Sequence, residues 1–256
     1  MARLIRHLPV LAVDRLIRLF LYRTENFSRR RRTSSLSADH FTFRTLFDFD
    51  GDGKADVSVF RPSNGAWYLQ QSTTGFTGMT FGFGSDKIVP ADYDGDGKTD
   101  VAVYRNGTWY LQRSSLGFTG VAFGEADDIP APADYDDDGK IDIAVFRSGT
   151  WYILRSQLGF IGIAFGESTD KPVASDYDGD GKADVAVFRP SNGAWYLLRS
   201  QLGFTGITFG YGTDLPVPAD YDGDGKTDVA VFRDGIWYLN RSQTGFAGVA
   251  FGAATD

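Results

Sequence analysis

A nine-residue acidic motif recurs five times in this chain: "DFDGDGKAD" from Asp48, "DYDGDGKTD" from Asp92, "DYDDDGKID" from Asp134, "DYDGDGKAD" from Asp176 and "DYDGDGKTD" from Asp220, at spacings of 44, 42, 42 and 44 residues. A period of that length marks an array of supersecondary units, each too small to bury its own apolar face alone. Every copy is followed by an apolar run such as "VAVFR", a short turn, a Trp-Tyr pair and then "GF-x-G-x-x-FG". All five tryptophans of the chain, Trp67, Trp109, Trp151, Trp195 and Trp237, occupy the same position of the repeat.

The two repeat lengths have a local cause. Repeats two, three and five turn through "RNGTW", "RSGTW" and "RDGIW", whose Asn-Gly, Ser-Gly and Asp-Gly pairs suit a two-residue hairpin with positive φ. Repeats one and four use "RPSNGAW", two residues longer, which preserves strand parity so that Trp keeps its face. Each repeat holds four short β-runs, such as "PVPADY", "DVAVFR", "WYLQRS" and "GVAFG", with no helical period. The expectation is an all-β chain: a β-propeller of four-stranded antiparallel blades, with repeats starting near 41, 86, 128, 170 and 214.

The acidic loop places carboxylates at positions 1, 3, 5 and 9, Gly at 6, and at 7 a lysine whose backbone carbonyl is available. Hard oxygen donors in that alternation suit Ca²⁺, and glycine permits the turn that aims them inward. Mg²⁺ fits less well, because it keeps several of its waters. An EF-hand would add Glu at position 12, but Val103 stands there in the second repeat and a β-run follows. The five loops hold 21 carboxylates and five lysines, a net of −16, against −13 for residues 41–256 as a whole. Five Ca²⁺ ions would bring those residues to about −3 and relieve most of the mutual repulsion.

Charge also separates the chain into two parts. Residues 1–40 carry nine Arg against Asp14, Glu25 and Asp39. Within them "MARLIRHLPVLAVDRLIRLFLYR" and "RRRRTSSLSAD" read as a basic arm, for which three readings stand: a disordered or spurious extension, a degenerate export signal, or an amphipathic helix that touches a membrane surface. The acidic remainder excludes nucleic-acid binding through a basic face. There is no cysteine, so neither disulfides nor thiolate metal sites arise.

The motif resembles the calcium loop of FG-GAP and VCBS repeats, the family that builds integrin-alpha-type β-propellers; "FG" itself recurs at Phe81, Phe123, Phe165, Phe209 and Phe251. The resemblance spans residues 41–256 and implies calcium hairpins between the first and second strands of each blade. Carried onto this chain, the ligands are Asp48, Asp50, Asp52, Asp56 and the Lys54 carbonyl in loop 1, and Asp92, Asp94, Asp96, Asp100 and Lys98 in loop 2. Loop 3 supplies Asp134, Asp136, Asp138, Asp142 and Lys140, loop 4 Asp176, Asp178, Asp180, Asp184 and Lys182, and loop 5 Asp220, Asp222, Asp224, Asp228 and Lys226. Asp137, where the other loops have Gly, is expected to face solvent and is not counted. Integrin-type propellers have seven blades and five repeats are visible here, so a closed five-bladed ring is favoured over an open array or a truncated product.

The family implies a secreted or cell-surface adhesion or ligand-binding module with a protein or glycan partner. The alternative is a multivalent carbohydrate-binding lectin, with the five Trp and the recurring Arg61, Arg105, Arg147, Arg189 and Arg233, together with Arg113, Arg155, Arg199 and Arg241, in pockets between blades. Packing between blades is the competing role for Trp and the following Tyr. A further Asp at 86, 128, 170, 214 and 256 is expected to cap a turn. An enzyme is not expected: His7 and His40 both lie in the arm, and near-identical repeats offer no pair of carboxylates in unlike environments.

Overall fold

The structure, a computed structural model, describes residues 46–253. The basic arm, the start of the opening run of repeat one, and Asp256 lie outside the described residues. All regular structure among the described residues is β. Blade 1 has β1 (Val57–Arg61), β2 (Ala66–Gln71) and β3 (Gly75–Thr80). Blade 2 has β4 (Lys87–Ile88), β5 (Val101–Arg105), β6 (Thr108–Arg113) and β7 (Gly117–Ala122). Blade 3 has β8 (Ile129–Pro130), β9 (Ile143–Arg147), β10 (Thr150–Arg155) and β11 (Gly159–Ala164). Blade 4 has β12 (Lys171–Pro172), β13 (Val185–Arg189), β14 (Ala194–Arg199) and β15 (Gly203–Thr208), and blade 5 has β16 (Leu215–Pro216), β17 (Val229–Arg233), β18 (Ile236–Arg241) and β19 (Gly245–Ala250). Strands of each blade pair antiparallel in chain order, so the chain is a β-propeller of five blades. Blades 1 and 2 belong to one compact unit, ending at Phe123, and blades 3 to 5 to a second, beginning at Gly124.

The hairpins follow their turn chemistry. Asn106-Gly107, Ser148-Gly149 and Asp234-Gly235 all have positive φ, from 47° to 84°. That is the two-residue turn whose twist matches the flanking strands. The turn glycine also meets a neighbour: a Cβ on Gly65 or Gly193 would lie 2.2 Å from the carbonyl oxygen of Gly82 or Gly210, the glycine of the "FG" pair.

The first strand of blades 2 to 5 is shorter than the run "PVPADY" suggests. Only two residues enter the ladder, followed by single bridges such as Ala91 to Asp100 and Ala219 to Asp228. Proline is the reason: Pro90, Pro130, Pro132, Pro172, Pro216 and Pro218 fall in these runs and cannot donate an N–H.

Within each unit, one blade lays its Trp face on the Val-Val face of the next. In the first unit Phe49, Trp67 and Leu69 of blade 1 pack on Val101 and Val103 of blade 2. In the second unit Tyr135, Phe146, Trp151 and Ile153 of blade 3 pack on Val185 and Val187 of blade 4, whose Phe188 and Trp195 pack in turn on Val229 and Val231 of blade 5. This explains why runs such as Val185–Phe188 are buried on both faces. Each Trp also packs at a tilt against the aromatic residue opposite it on the second strand, as Trp195 does on Phe188 at 5.5 Å, and donates its Nε1–H to an "FG" carbonyl, 2.9 Å from Trp195 to Phe209.

Trp67, Trp109, Trp151 and Trp195 are therefore core residues, at most 2% exposed, and offer no surface to a sugar. The side chains that do face solvent are on the outer strands. Phe204 is 63% exposed, and Phe76, Phe118, Phe160 and Phe246 are comparable. Trp195→Ala is accordingly expected to lower stability by about 3–5 kcal/mol, whereas Phe204→Ala lowers it by less than about 1 kcal/mol. Equilibrium urea unfolding measures both, and equal losses would contradict the assignment of Trp195 to the core.

Candidate metal centres

In blades 2 to 5 the acidic loop joins the short first strand to the second, and in all five blades its fold is held by its own carboxylates. In loop 2, Asp92 at position 1 accepts hydrogen bonds from the backbone N–H of Gly95 (2.7 Å) and Gly97 (2.9 Å), which closes the loop on itself. Asp100 at position 9 accepts from Tyr93 N–H (2.9 Å) within the loop and from Ser114 N–H (2.7 Å) in the turn between β6 and β7. One carboxylate thus ties the loop to the neighbouring hairpin. The same pairs recur in the other blades, for example Asp184 with Tyr177 and Ser200.

Position 3 also reaches that hairpin turn. One oxygen of Asp94 accepts the N–H of Ser115 (3.1 Å) and Leu116 (3.0 Å). Its other oxygen is buried with no hydrogen-bond partner, and so is the equivalent Oδ1 of Asp50, Asp136, Asp178 and Asp222. A buried acceptor left unsatisfied costs on the order of 1–3 kcal/mol, more when charged. Five equivalent unpartnered acceptors, one per loop, are what a cation-binding position would offer.

The orphan oxygen does not stand alone. In loops 1, 3, 4 and 5 oxygens of positions 1, 3 and 9 lie within 4.8 Å of one another: Asp48, Asp50 and Asp56; Asp134, Asp136 and Asp142; Asp176, Asp178 and Asp184; Asp220, Asp222 and Asp228. In loop 2 the gathered set is Asp92, Asp94 and Asp96. These five clusters, one per blade, could hold a metal ion, and an all-carboxylate donor set suits a hard cation.

Loops differ in which carboxylate completes the gathered set: position 5 in loop 2, where Asp100 is left out, and position 9 in the other four. Asp52, Asp138, Asp180 and Asp224 are not gathered with positions 1, 3 and 9; each accepts a hydroxyl of the hairpin turn, from Ser72, Ser156, Ser200 and Ser242. Asp96 accepts hydroxyls from Ser114 and Ser115 as well as joining its cluster. The hydroxyls of Ser72 and Thr73, with Lys54, hold the Asp52 carboxyl well below the usual carboxylate range. The lysines at position 7 each donate a backbone N–H to the position-5 carboxylate, as Lys98 does to Asp96 at 2.9 Å. Asp137 is exposed, in a left-handed conformation at φ 60°.

Burial acts most strongly on position 9. It pushes the carboxyls of Asp100, Asp142 and Asp184 up to about 6, against the two backbone N–H donors that each accepts, and the carboxylates at positions 3 and 1 add to the rise. Without a cation these groups hold a proton far more readily than an exposed aspartate.

The recurring arginines are used internally. Asp86 accepts the N–H of Phe83 (2.8 Å), capping the turn as expected, and also takes a two-pronged ion pair from Arg105 Nε (2.7 Å) and Nη2 (2.6 Å). Asp128 with Arg147, Asp170 with Arg189 and Asp214 with Arg233 repeat it. Arg61 donates to the Tyr68 hydroxyl. Arg113, Arg155, Arg199 and Arg241 donate Nε–H to glycine carbonyls across their own turns. With Trp67, Trp109, Trp151 and Trp195 in the core, the Trp and Arg pockets of the lectin reading do not form in blades 1 to 4, where these side chains are occupied by packing and hydrogen bonding; Trp237 of blade 5 is partly exposed.

Sequence reasoning missed the hairpin serines and the Arg–Asp pairs. The signals were present: Ser72, Ser114, Ser156, Ser200 and Ser242 recur at one place, and Asp and Arg stand 19 residues apart in four repeats.

Comparison with known proteins agrees with this geometry. A model described as FG-GAP-like repeat matches residues 48–103 and 176–231, which contain the loops of blades 1, 2, 4 and 5. No curated protein is significantly similar in sequence. Among solved structures, an Agrocybe aegerita lectin described by its specific recognition of non-reducing terminal N-acetylglucosamine aligns at TM-score 0.53 and 18% identity, over 75% of this chain and 61% of that one. A streptogramin B lyase aligns at TM-score 0.53 and 10% identity, over 77% of this chain and 65% of that one. BBS1N, solved in complex with ARL6DN, aligns at 0.50 and 14%, over 80% and 66%. The chain thus spans less than two thirds of these proteins, and the likeness is one of fold. Two matched stretches, with the same loop geometry repeated in the unmatched blade 3, make this chain an FG-GAP repeat protein.

Proposed function

We propose that the protein is a calcium-binding β-propeller that works as a ligand-binding module outside the cytoplasm, without catalytic activity of its own. The observation that carries the calcium reading is the set of five buried, unpartnered position-3 oxygens beside the position-1 carboxylates. Bound Ca²⁺ would supply positive charge at each cluster, and the position-1 and position-3 carboxylates, with position 9 or 5, would supply its oxygen ligands. The chain's own part is to hold carboxylates of one blade against a second hairpin of that blade, so that a filled loop braces β6 and β7 or their counterparts. Millimolar calcium outside the cell would fill sites of modest affinity, which favours a secreted or cell-surface location.

At free Ca²⁺ a hundredfold above Kd, each independent site adds about 2.7 kcal/mol. Calcium is therefore expected to raise the melting temperature and a chelator to lower it, and Asp178→Asn should remove one site from the calorimetric stoichiometry. A melting temperature indifferent to both calcium and chelator would sink the calcium reading.

Acid should oppose binding. A folded carboxyl raised to about 6, as at Asp100, Asp142 and Asp184, lies above its unfolded value of about 3.9, so the metal-free protein gains stability from these groups at low pH and loses it as pH rises through 6. Calcium needs the deprotonated form. The gap in melting temperature between calcium-loaded and chelated protein should widen from pH 5 to pH 7, and a gap that narrows over that window would contradict the assignment.

The second reading is a carbohydrate-binding lectin, now without the tryptophans. It is favoured by the exposed outer-strand phenylalanines, one per blade, each with glycine two residues on along the same face, as in Phe118 and Gly120. That leaves an aromatic ring accessible from the side, five times over, as a stacking platform needs. On a glycan array, Phe118→Ala combined with Phe160→Ala should weaken any sugar signal while Trp109→Phe leaves it intact. No glycan retained by the calcium-loaded wild type would leave the protein-ligand reading in place of the lectin.

A further inference from the structure

We infer that the metal loops of adjacent blades are coupled, so that within each compact unit calcium fills them cooperatively. This rests on the calcium reading above. The position-1 residue of one loop offers its backbone carbonyl to position 8 of the next: Thr99 donates its N–H to Asp48 at 2.6 Å, Ala183 to Asp134 at 2.7 Å and Thr227 to Asp176 at 2.7 Å. The acceptor belongs to a candidate ligand, and the donor immediately precedes the position-9 aspartate of the neighbouring cluster. Loops 1 and 2 are linked in this way in the first unit, and loops 3, 4 and 5 in the second.

Side chains reinforce the link. Lys98 from loop 2 lies across Gly51 of loop 1, where a Cβ would come within 3.0 Å of Lys98 Cε, and Lys226 lies across Gly179 in the same way. Between loops 3 and 4 the element is reversed: Asp137, which replaces the glycine, reaches over Gly181, with its Oδ1 2.8 Å from where a Cβ would be. Its carboxylate, though exposed, is thus set against the next loop rather than pointed away from the protein.

The sign follows from ordering. An empty loop holds converging carboxylates that repel one another, so its backbone is the part of the blade most ready to deform. A cation in loop 1 fixes the Asp48 backbone and with it the acceptor for Thr99, which orders the second half of loop 2 before its own ion arrives. Ordering that one ion has already accomplished makes binding of the next tighter. Repulsion between neighbouring cations works the other way, but the four or five carboxylates of each loop offset the charge of its own ion, so ordering sets the sign.

Titration of Ca²⁺ alone into the chelator-stripped full chain, followed by isothermal calorimetry, tests this. The expected result is sigmoidal uptake with a Hill coefficient above 1. In the Asp94→Asn protein, loop 1 should also lose affinity, by about fivefold or more, so that uptake shows one weakened site besides the one removed. Hyperbolic uptake by the wild type, with Asp94→Asn deleting a single site and leaving the other affinities unchanged, overturns the coupling and leaves the calcium reading standing. No uptake at all overturns both. Because the wild-type curve decides the first question, the inference stays testable even if the Asp94→Asn chain fails to fold.

Discussion

The position-9 aspartate is the interaction on which each blade's organisation depends. Asp100 sits between two backbone N–H groups, one in its own loop and one in the turn of the next hairpin. It also faces the carboxylates at positions 1 and 3. Its charge is therefore needed for two purposes that pull against each other. The N–H donors favour the ionised form, while burial and the neighbouring carboxylates favour the neutral one. On the calcium reading a divalent cation near these carboxylates would ease the conflict, since it would favour the ionised form without displacing either donor. Even without it, the carboxylate joins loop and hairpin into one unit per blade.

Much of this was legible in the sequence because it is local. The Asn-Gly, Ser-Gly and Asp-Gly hairpins, the four-run repeat and the capping role of Asp86 follow from short-range turn chemistry, and the structure has them where expected. Alternation of the acidic residues also brought positions 1 and 3 together in every loop. What was not legible depends on a second segment. Position 5 looks like position 3 in one dimension, and only the folded hairpin shows that Ser72 or Ser200 has taken its carboxylate. Trp67, Trp151 and Trp195 could have been platforms or packing until the Val-Val face of the following blade was seen to cover them.

The arginines teach the same lesson from the other end of the strand. Arg105 and Asp86 are 19 residues apart, separated by the whole acidic loop, and meet because the short first strand and β5 run antiparallel. The Asp is wholly buried and the Arg partly exposed, so this pair holds the strand end and the turn together rather than presenting a charge to a ligand. In blades 2 and 5 the guanidinium also lies between two aromatic rings, Phe83 and Tyr110 around Arg105, and Tyr211 and Tyr238 around Arg233. In blades 3 and 4 a glutamate takes the place of the outer ring, Glu125 with Arg147 and Glu167 with Arg189. The same scaffold thus shows two surface chemistries, aromatic and anionic, over an unchanged ion pair.

The contact between the hairpin-turn glycine and the "FG" glycine shows what the motif is for. A Cβ on Gly193 would strike the Gly210 carbonyl oxygen, a Cβ on Gly210 would crowd Asp214 and Val231 at 3.1 Å, and both glycines carry positive φ. The preceding phenylalanine contributes its carbonyl to the tryptophan as well as its ring to the edge of the core. The letters by which these repeats are most easily spotted therefore encode a distance between two turns of one blade. They would persist in a copy that had lost its metal or changed its ligand, and a repeat can keep its signature while its binding surface drifts freely.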